Sequence, residues 1–158
     1  MADLLFNVSK VEISEDGSTW TDLGVTQGGA RFTQDITETE IESDQNTDPE
    51  AVITVKAPKT LTLNLLDAKP ENLALAFGGT VNGDAVEIPK LVTGVEKQIR
   101  ITTQPVAGVS FEITIPRAKI TGRSEINLTK DNAATLPLEV KVLAPTTGAP
   151  VTITKITS

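Results

Sequence analysis

Asp35-Ile-Thr-Glu-Thr-Glu-Ile-Glu-Ser-Asp44 alternates with a period of two. Glu38, Glu40, Glu42 and Asp44 fall on one parity, and Thr37, Thr39, Ile41 and Ser43 on the other. That repeat is the side-chain period of an extended strand, so one face is acidic and the other is neutral. A loop follows in Gln45-Asn-Thr-Asp-Pro-Glu50, punctuated by Asp48-Pro49. Two apolar strands come next, over 51–56 and 60–66, with Pro58 as a bend or edge marker between them. Leu61, Leu63 and Leu65 face one way, and Thr60, Thr62 and Asn64 the other. One buried and one wet side is the pattern of an antiparallel sheet.

The stretch closes on Asp67-Ala-Lys-Pro-Glu-Asn-Leu-Ala-Leu-Ala-Phe-Gly-Gly79, the one convincing helical signal, over about 69–78. Pro70 suits the first helical position, where its missing N–H costs nothing, and Glu71 complements the positive end of the dipole. Gly78-Gly79 stops the helix. Leu73, Ala76 and Phe77 make one apolar face. Two turns are too short to stand alone, so this face is expected to dock on the sheet.

Outward from this centre the chain reads as strands. Residues 8–13 and 18–23 flank Glu15-Asp16-Gly17, whose Asp-Gly supplies the positive φ of a tight hairpin turn. Gln27-Gly28-Gly29 reads as another turn, and 30–44 as one long extended segment. Turn signals at Asn82-Gly83-Asp84, Pro89 and Gly94 break up the region 80–97. Strands are expected over 97–103, 109–115, 118–121, 124–129 and 136–142, then a linker over 145–150 and a terminal strand over 151–156. About nine or ten short strands and one short helix predict a mainly β, antiparallel β-sandwich or open barrel. The 158 residues form one expected domain, 1–158, with 145–158 as a C-terminal arm.

Composition narrows the function. The net charge of −7 opposes nucleic-acid binding, which draws its affinity from Lys and Arg on phosphates. The chain has no Cys and no His, which removes disulfides, thiolate chemistry, imidazole acid–base catalysis and the common zinc ligands. Met-Ala-Asp-Leu-Leu-Phe at the start lacks the basic region and long apolar run of a signal peptide. No apolar run approaches membrane-spanning length. The expectation is synthesis in the cytoplasm with no membrane partner, so the sequons at Asn7 and Asn127 carry no meaning.

Each candidate site also has a plainer reading. Asp44-Gln-Asn46-Thr-Asp48 imitates the first half of a calcium loop, but Pro49 stands where Gly is needed and Val55 where the bidentate Glu belongs. It reads as an acidic turn. Paired carboxylates could serve glycoside chemistry, yet sugar sites usually present aromatic platforms, and this chain has one Trp and no Tyr. No motif places a Ser–Lys pair. No catalytic, cofactor-binding or metal residue is therefore assigned. The acidic face has a plain reading as a solvated strand. Against that, no Lys or Arg interrupts 34–51, although seven of the 21 acidic residues lie there. Surface strands usually mix signs, so a single-sign face implies a use.

Four motifs, in order, resemble the major tail tube proteins of long-tailed bacteriophages. They are the hairpin Val11-Glu-Ile-Ser-Glu-Asp-Gly-Ser-Thr-Trp-Thr-Asp-Leu-Gly24, and Ser43-Asp-Gln45 followed by Pro49. Next comes Leu61-Thr-Leu-Asn-Leu-Leu with Pro70-Glu-Asn-Leu-Ala-Leu-Ala-Phe-Gly-Gly79. Last come Ile115-Pro-Arg-Ala-Lys-Ile and Asp131-Asn-Ala-Ala-Thr-Leu-Pro-Leu-Glu-Val-Lys-Val-Leu143. The resemblance covers most of the chain, with 80–97 the poorest match. It implies a structural virion protein, with no enzymatic activity and no cofactor. Subunits would form hexameric rings that stack into a hollow tube, each giving strands to a shared inner β-barrel. DNA would pass without specific binding, and the tape measure, terminator and tip proteins would be further partners. On that basis Glu38, Glu40, Glu42 and Asp44 are lumen-facing candidates. Asp44, Gln45, Asn46, Thr47, Asp48, Pro49 and Glu50 are candidates for contacts between subunits or rings. The competing expectation is a monomeric β-sandwich binding module of carbohydrate-binding or adhesin type.

Overall fold

The structure is a computed structural model and describes residues 2–157; Met1 and Ser158, the ends of the expected domain and arm, lie outside the described residues. The first hairpin joins β1 (Val8–Ser14) to β2 (Thr21–Asp22). Its turn is held by Asp16, whose carboxylate accepts the N–H groups of Ser18 and Thr19 at 2.8 and 2.9 Å. Gly17 supplies the positive φ of 82°. β3 (Thr26–Gln34) follows. Gln27-Gly28-Gly29, expected as a turn, is instead a bulge inside this strand, where the register against β6 (Lys59–Leu65) shifts between Thr26 and Ala30. Two successive glycines at φ 82° and 74° absorb the extra residues, so the chain kinks without reversing.

The expected long segment 30–44 is interrupted once. β3 ends at Gln34, and β4 (Thr37–Ile41) pairs with β5 (Ala51–Lys56) as a separate two-stranded ribbon. The Asp35 N–H donates to the Pro58 carbonyl at 2.9 Å, which links this ribbon to the β3–β6 ladder across the bend. Helix α1 (Pro70–Phe77) begins on Pro70 and ends on Gly78 in the left-handed conformation, with the Gly79 N–H donating to the Ala74 carbonyl. A small hairpin, β7 (Thr80–Asn82) and β8 (Ala85–Glu87), turns at Gly83.

The remaining strands are β9 (Val95–Thr103), β10 (Val109–Ile120), β11 (Leu136–Val142) and β12 (Thr152–Thr157). Residues 109–121, expected as two strands, form one with a register shift between Ile115 and Ala118 at Pro116-Arg117. Residues 124–129, expected as a strand, have no ladder partner among the described residues. The eight-stranded antiparallel sheet runs β2-β1-β9-β10-β11-β6-β3. The second edge of β10 is shared: β12 pairs with residues 109–114 and β11 with residues 118–120.

Both halves of this sheet feed one hydrophobic cluster, which makes the molecule sandwich-like with no closed barrel in the single chain. Leu61, Leu63 and Leu65 of β6 stand opposite Val140, Leu138 and Leu136 of β11, and all six are buried. Val11, Ile99, Ile101, Ile115, Ala118 and Ile120 complete the opposing side. Each fully buried aliphatic side chain of the larger kind contributes about 1.5–3 kcal/mol. Across the outer end of β1, the buried Glu12 carboxylate accepts from Arg100 at 2.9 Å, and the Arg100 guanidinium stacks on Trp20 at 4.2 Å.

Candidate assembly surfaces

The β4–β5 ribbon has no core of its own: every residue in both strands is exposed. Its register separates two faces. Glu38 stands opposite Thr54 and Glu40 opposite Val52, while Thr39 stands opposite Ile53 and Ile41 opposite Ala51. Directly opposed residues share a face, so Glu38 and Glu40 lie on one side and Ile41 and Ile53 on the other. Ile41 is 46% exposed and Ile53 50%. A two-stranded ribbon exposing this much apolar surface is marginal in water without something to pack on.

Glu38 and Glu40 carry no ion pair among the described residues, and neither do Glu42 and Asp44, which lie beyond the strand at the approach to the tip. The alternation read from sequence therefore holds as strand geometry for Glu38 and Glu40 only. The tip has its own bonds. The Ser43 hydroxyl and the Asn46 side-chain amide both donate to the Glu50 carboxylate, each at 2.6 Å. Those two donors, Ser43 first, hold the Glu50 carboxyl below its ordinary value. The Glu50 N–H closes the loop on the Ile41 carbonyl at 2.7 Å. Gln45, Thr47, Asp48 and Pro49 stay exposed around it. No cluster of metal-ligating side chains occurs among the described residues.

A second surface is the edge of β3. This strand pairs with β6 on one side and, among the described residues, with no strand on the other. The third is β12, which pairs with β10 through six registered positions yet leaves all six of its side chains exposed, Ile153 and Ile156 included. Within the region 145–158, expected from sequence as an arm, β12 thus lies on the sheet of its own chain. Lys155 ties it to Asp3 of the N-terminal segment at 2.7 Å.

The helix packs on β7, β8 and β11. Its most buried arc is Asn72, Leu75 and Ala76; Leu73 and Phe77, expected at the centre of the docking face with Ala76, are half-buried at its flanks. The Asn72 amide donates to the carbonyls of Leu23 and Asp67, both at 2.8 Å. It pins the helix start to the chain leaving β2 and to the chain leaving β6.

A family profile described as phage tail tube protein matches residues 7–154. The chain belongs to the phage tail tube proteins. Among solved structures, a chain of the "Cryo-EM structure of the anti-feeding prophage (AFP) baseplate, 6-fold symmetrised" matches with a TM-score of 0.60. That match covers 98% of this chain and 96% of the other at 11% sequence identity, a likeness of fold. None of the curated proteins matches. The tail tube protein is accordingly a structural component of the virion tail. No helix among its described residues is long and apolar enough to cross a membrane.

Sequence reasoning missed two features of this tail tube protein. Asn72 and Leu75 were overlooked because a polar residue inside the buried arc breaks the apolar pattern that marks a docking face. The Glu12–Arg100–Trp20 stack joins residues far apart in the chain, and no local spacing announces it.

Proposed function

We propose that this tail tube protein forms hexameric rings, and that the rings stack into the hollow tube through which DNA passes to the host. The observation that carries the reading is an amphipathic two-stranded arm with no core of its own, beside an open sheet edge. An exposed edge invites pairing with another chain, and a barrel built from several subunits removes it. In this reading the Ile41–Ile53 face of the arm packs on a neighbouring subunit. That leaves Glu38 and Glu40 directed away from protein, into the bore, with Glu42 and Asp44 nearer the subunit boundary. Residues 44–50 at the tip meet the next ring. An acidic bore repels the DNA phosphates, so the cargo passes without specific binding. The tape measure protein inside the tube, and the terminator and tip proteins at its ends, are the further partners.

The test is sedimentation of purified protein over a concentration series, with negative-stain microscopy of the heavy fraction. Rings and tubes of uniform width support the reading. A monomer that persists at high concentration with a defined ligand site would instead favour a binding module.

A further inference from the structure

Residues 124–129, Ser-Glu-Ile-Asn-Leu-Thr, have the composition and alternation of a strand but none of its bonds. No backbone group of this segment enters a backbone–backbone bond among the described residues; the neighbouring ladder ends where the Thr121 N–H meets the Glu139 carbonyl. The segment is held near β11 only by side chains. The Ser124 hydroxyl donates to the Pro137 carbonyl at 2.7 Å, and Arg123 meets Glu139 at 3.5 Å. Ile126 is 41% exposed and Leu128 86%.

The edge of β3 is the complementary defect. Beyond its glycine bulge, residues 30–34 run in regular register with β6 and have no strand partner on the other side among the described residues. Natural edges are blunted by proline, charge or shortness. This one carries a single charge, Arg31, and no proline. The two patterns match. Phe32 lies on the core side of β3, opposite the buried Leu61, while Arg31 and Thr33 lie on the wet side. Ile126 and Leu128 share one parity of the segment, and Glu125, Asn127 and Thr129 the other. Pairing would set the apolar parity beside Phe32 and the polar parity beside Arg31 and Thr33. The charges match too: neither Arg31 nor Glu125 has an ion pair among the described residues.

We propose that residues 124–129 of one subunit add as a strand to the open edge of β3 in a second copy of this chain, and become ordered as a strand only in the assembly. The proposal rests on the assembly reading above and names the two segments that meet. It also accounts for a strand-like sequence that is no strand in the isolated chain.

Amide exchange on free subunits and on tubes tests it, together with Asn127→Pro and Leu128→Pro. Adjacent N–H groups face opposite edges of a strand, so one of the two substitutions removes a donor to β3. Because the segment makes no ladder bond in the free chain among the described residues, both variants should melt like the parent. Loss of a ladder bond should raise the critical concentration of one of them for assembly about tenfold. The chain has no native Cys, so a third measurement is clean: Thr33→Cys subunits are mixed with Asn127→Cys subunits, assembled, and treated with a short bismaleimide. Expected are protection of 124–129 in tubes only, and covalent dimers from the mixed tubes in excess of either single variant alone. The proposal is overturned if tubes form while 124–129 stays unprotected, or if Asn127→Pro and Leu128→Pro both assemble at the parental concentration. An intramolecular cross-link in a free Thr33→Cys/Asn127→Cys subunit also overturns it, since the segment would then serve its own edge. Absence of rings and tubes from the parent chain would instead count against the assembly reading.

Discussion

Replacing Asn72 by alanine removes a side chain that is only 1% exposed and makes two hydrogen bonds of 2.8 Å, to Leu23 and Asp67. Each loss costs about 1–3 kcal/mol, because a carbonyl is left without its donor in a buried or half-buried place. The two losses together cost about 2–6 kcal/mol, which for a domain of this size lowers the Tm by roughly 4–24 °C. Asn72→Asp is the sharper probe. It keeps the shape but turns the two donors into a carboxylate facing two carbonyls, so it should destabilise more than alanine at neutral pH. Scanning calorimetry and urea unfolding on both variants measure the difference. If Asn72→Ala unfolds within about 0.5 kcal/mol of the parent, or Asn72→Asp is the milder change, the pin is not what holds the helix start.

Three further outcomes are expected. Phe77→Ala should cost about 1.5–3 kcal/mol in urea unfolding, below the 3–5 of a fully buried ring, because Phe77 is half-buried at the flank of the helix; a loss at the upper figure would mean the ring is the centre of the docking face. Glu50 has a folded pKa below its ordinary 4.5, so its contribution to the tip is present above that pH and is lost as the pH falls through the lowered value. Amide resonances of residues 43–50 should therefore shift as the pH falls below the ordinary carboxylate range while core resonances hold, and a tip unchanged once its carboxylates are fully protonated contradicts the Ser43–Asn46–Glu50 arrangement. Glu38→Lys combined with Glu40→Lys should slow DNA ejection most severely at low salt, and unchanged ejection kinetics would remove these carboxylates from the bore.

The parts of the fold that were legible in the sequence are those where a local rule has no competitor. Leu61, Leu63 and Leu65 alternate against Thr and Asn, and that strand forms with that face buried. Pro70 and Gly78 mark the two ends of the helix because each has a backbone reason to be there. Asp16-Gly17 turns the first hairpin, and Pro58 marks the bend between arm and sheet. What failed needed context. Gly28-Gly29 fits a turn or a bulge equally well, and only β6, running alongside, selects the bulge. Residues 124–129 have a strand's alternation, but alternation specifies a face and supplies no partner. Along the acidic run the period of two could not say where the ladder stops; the tip bonds of Glu50 end it after Ile41.

The charge of this protein is segregated more completely than its composition suggests. The stretch 34–51 holds seven acidic residues and no basic one, and the other 14 acidic residues are balanced by 14 Lys and Arg. The whole net charge of −7 therefore sits on the arm and its tip, and the remainder is neutral. In the proposed ring, mutual repulsion of the arms would oppose assembly, while burial of Ile41 and Ile53 on a neighbour would favour it. The balance is set by screening, since the Debye length falls from about 30 Å at 0.01 M to about 8 Å at 0.15 M salt. Burial of apolar surface is far less sensitive over that range. Assembly should accordingly become more favourable as salt rises, with a falling critical concentration in sedimentation. Glu38→Gln combined with Glu40→Gln removes two of the seven charges and should lower the salt needed. The free subunit should melt unchanged, because both side chains are exposed and carry no ion pair among the described residues. A critical concentration that rises with salt would reverse the argument, because it would mean that the arm's carboxylates are paired with Lys or Arg of the neighbour.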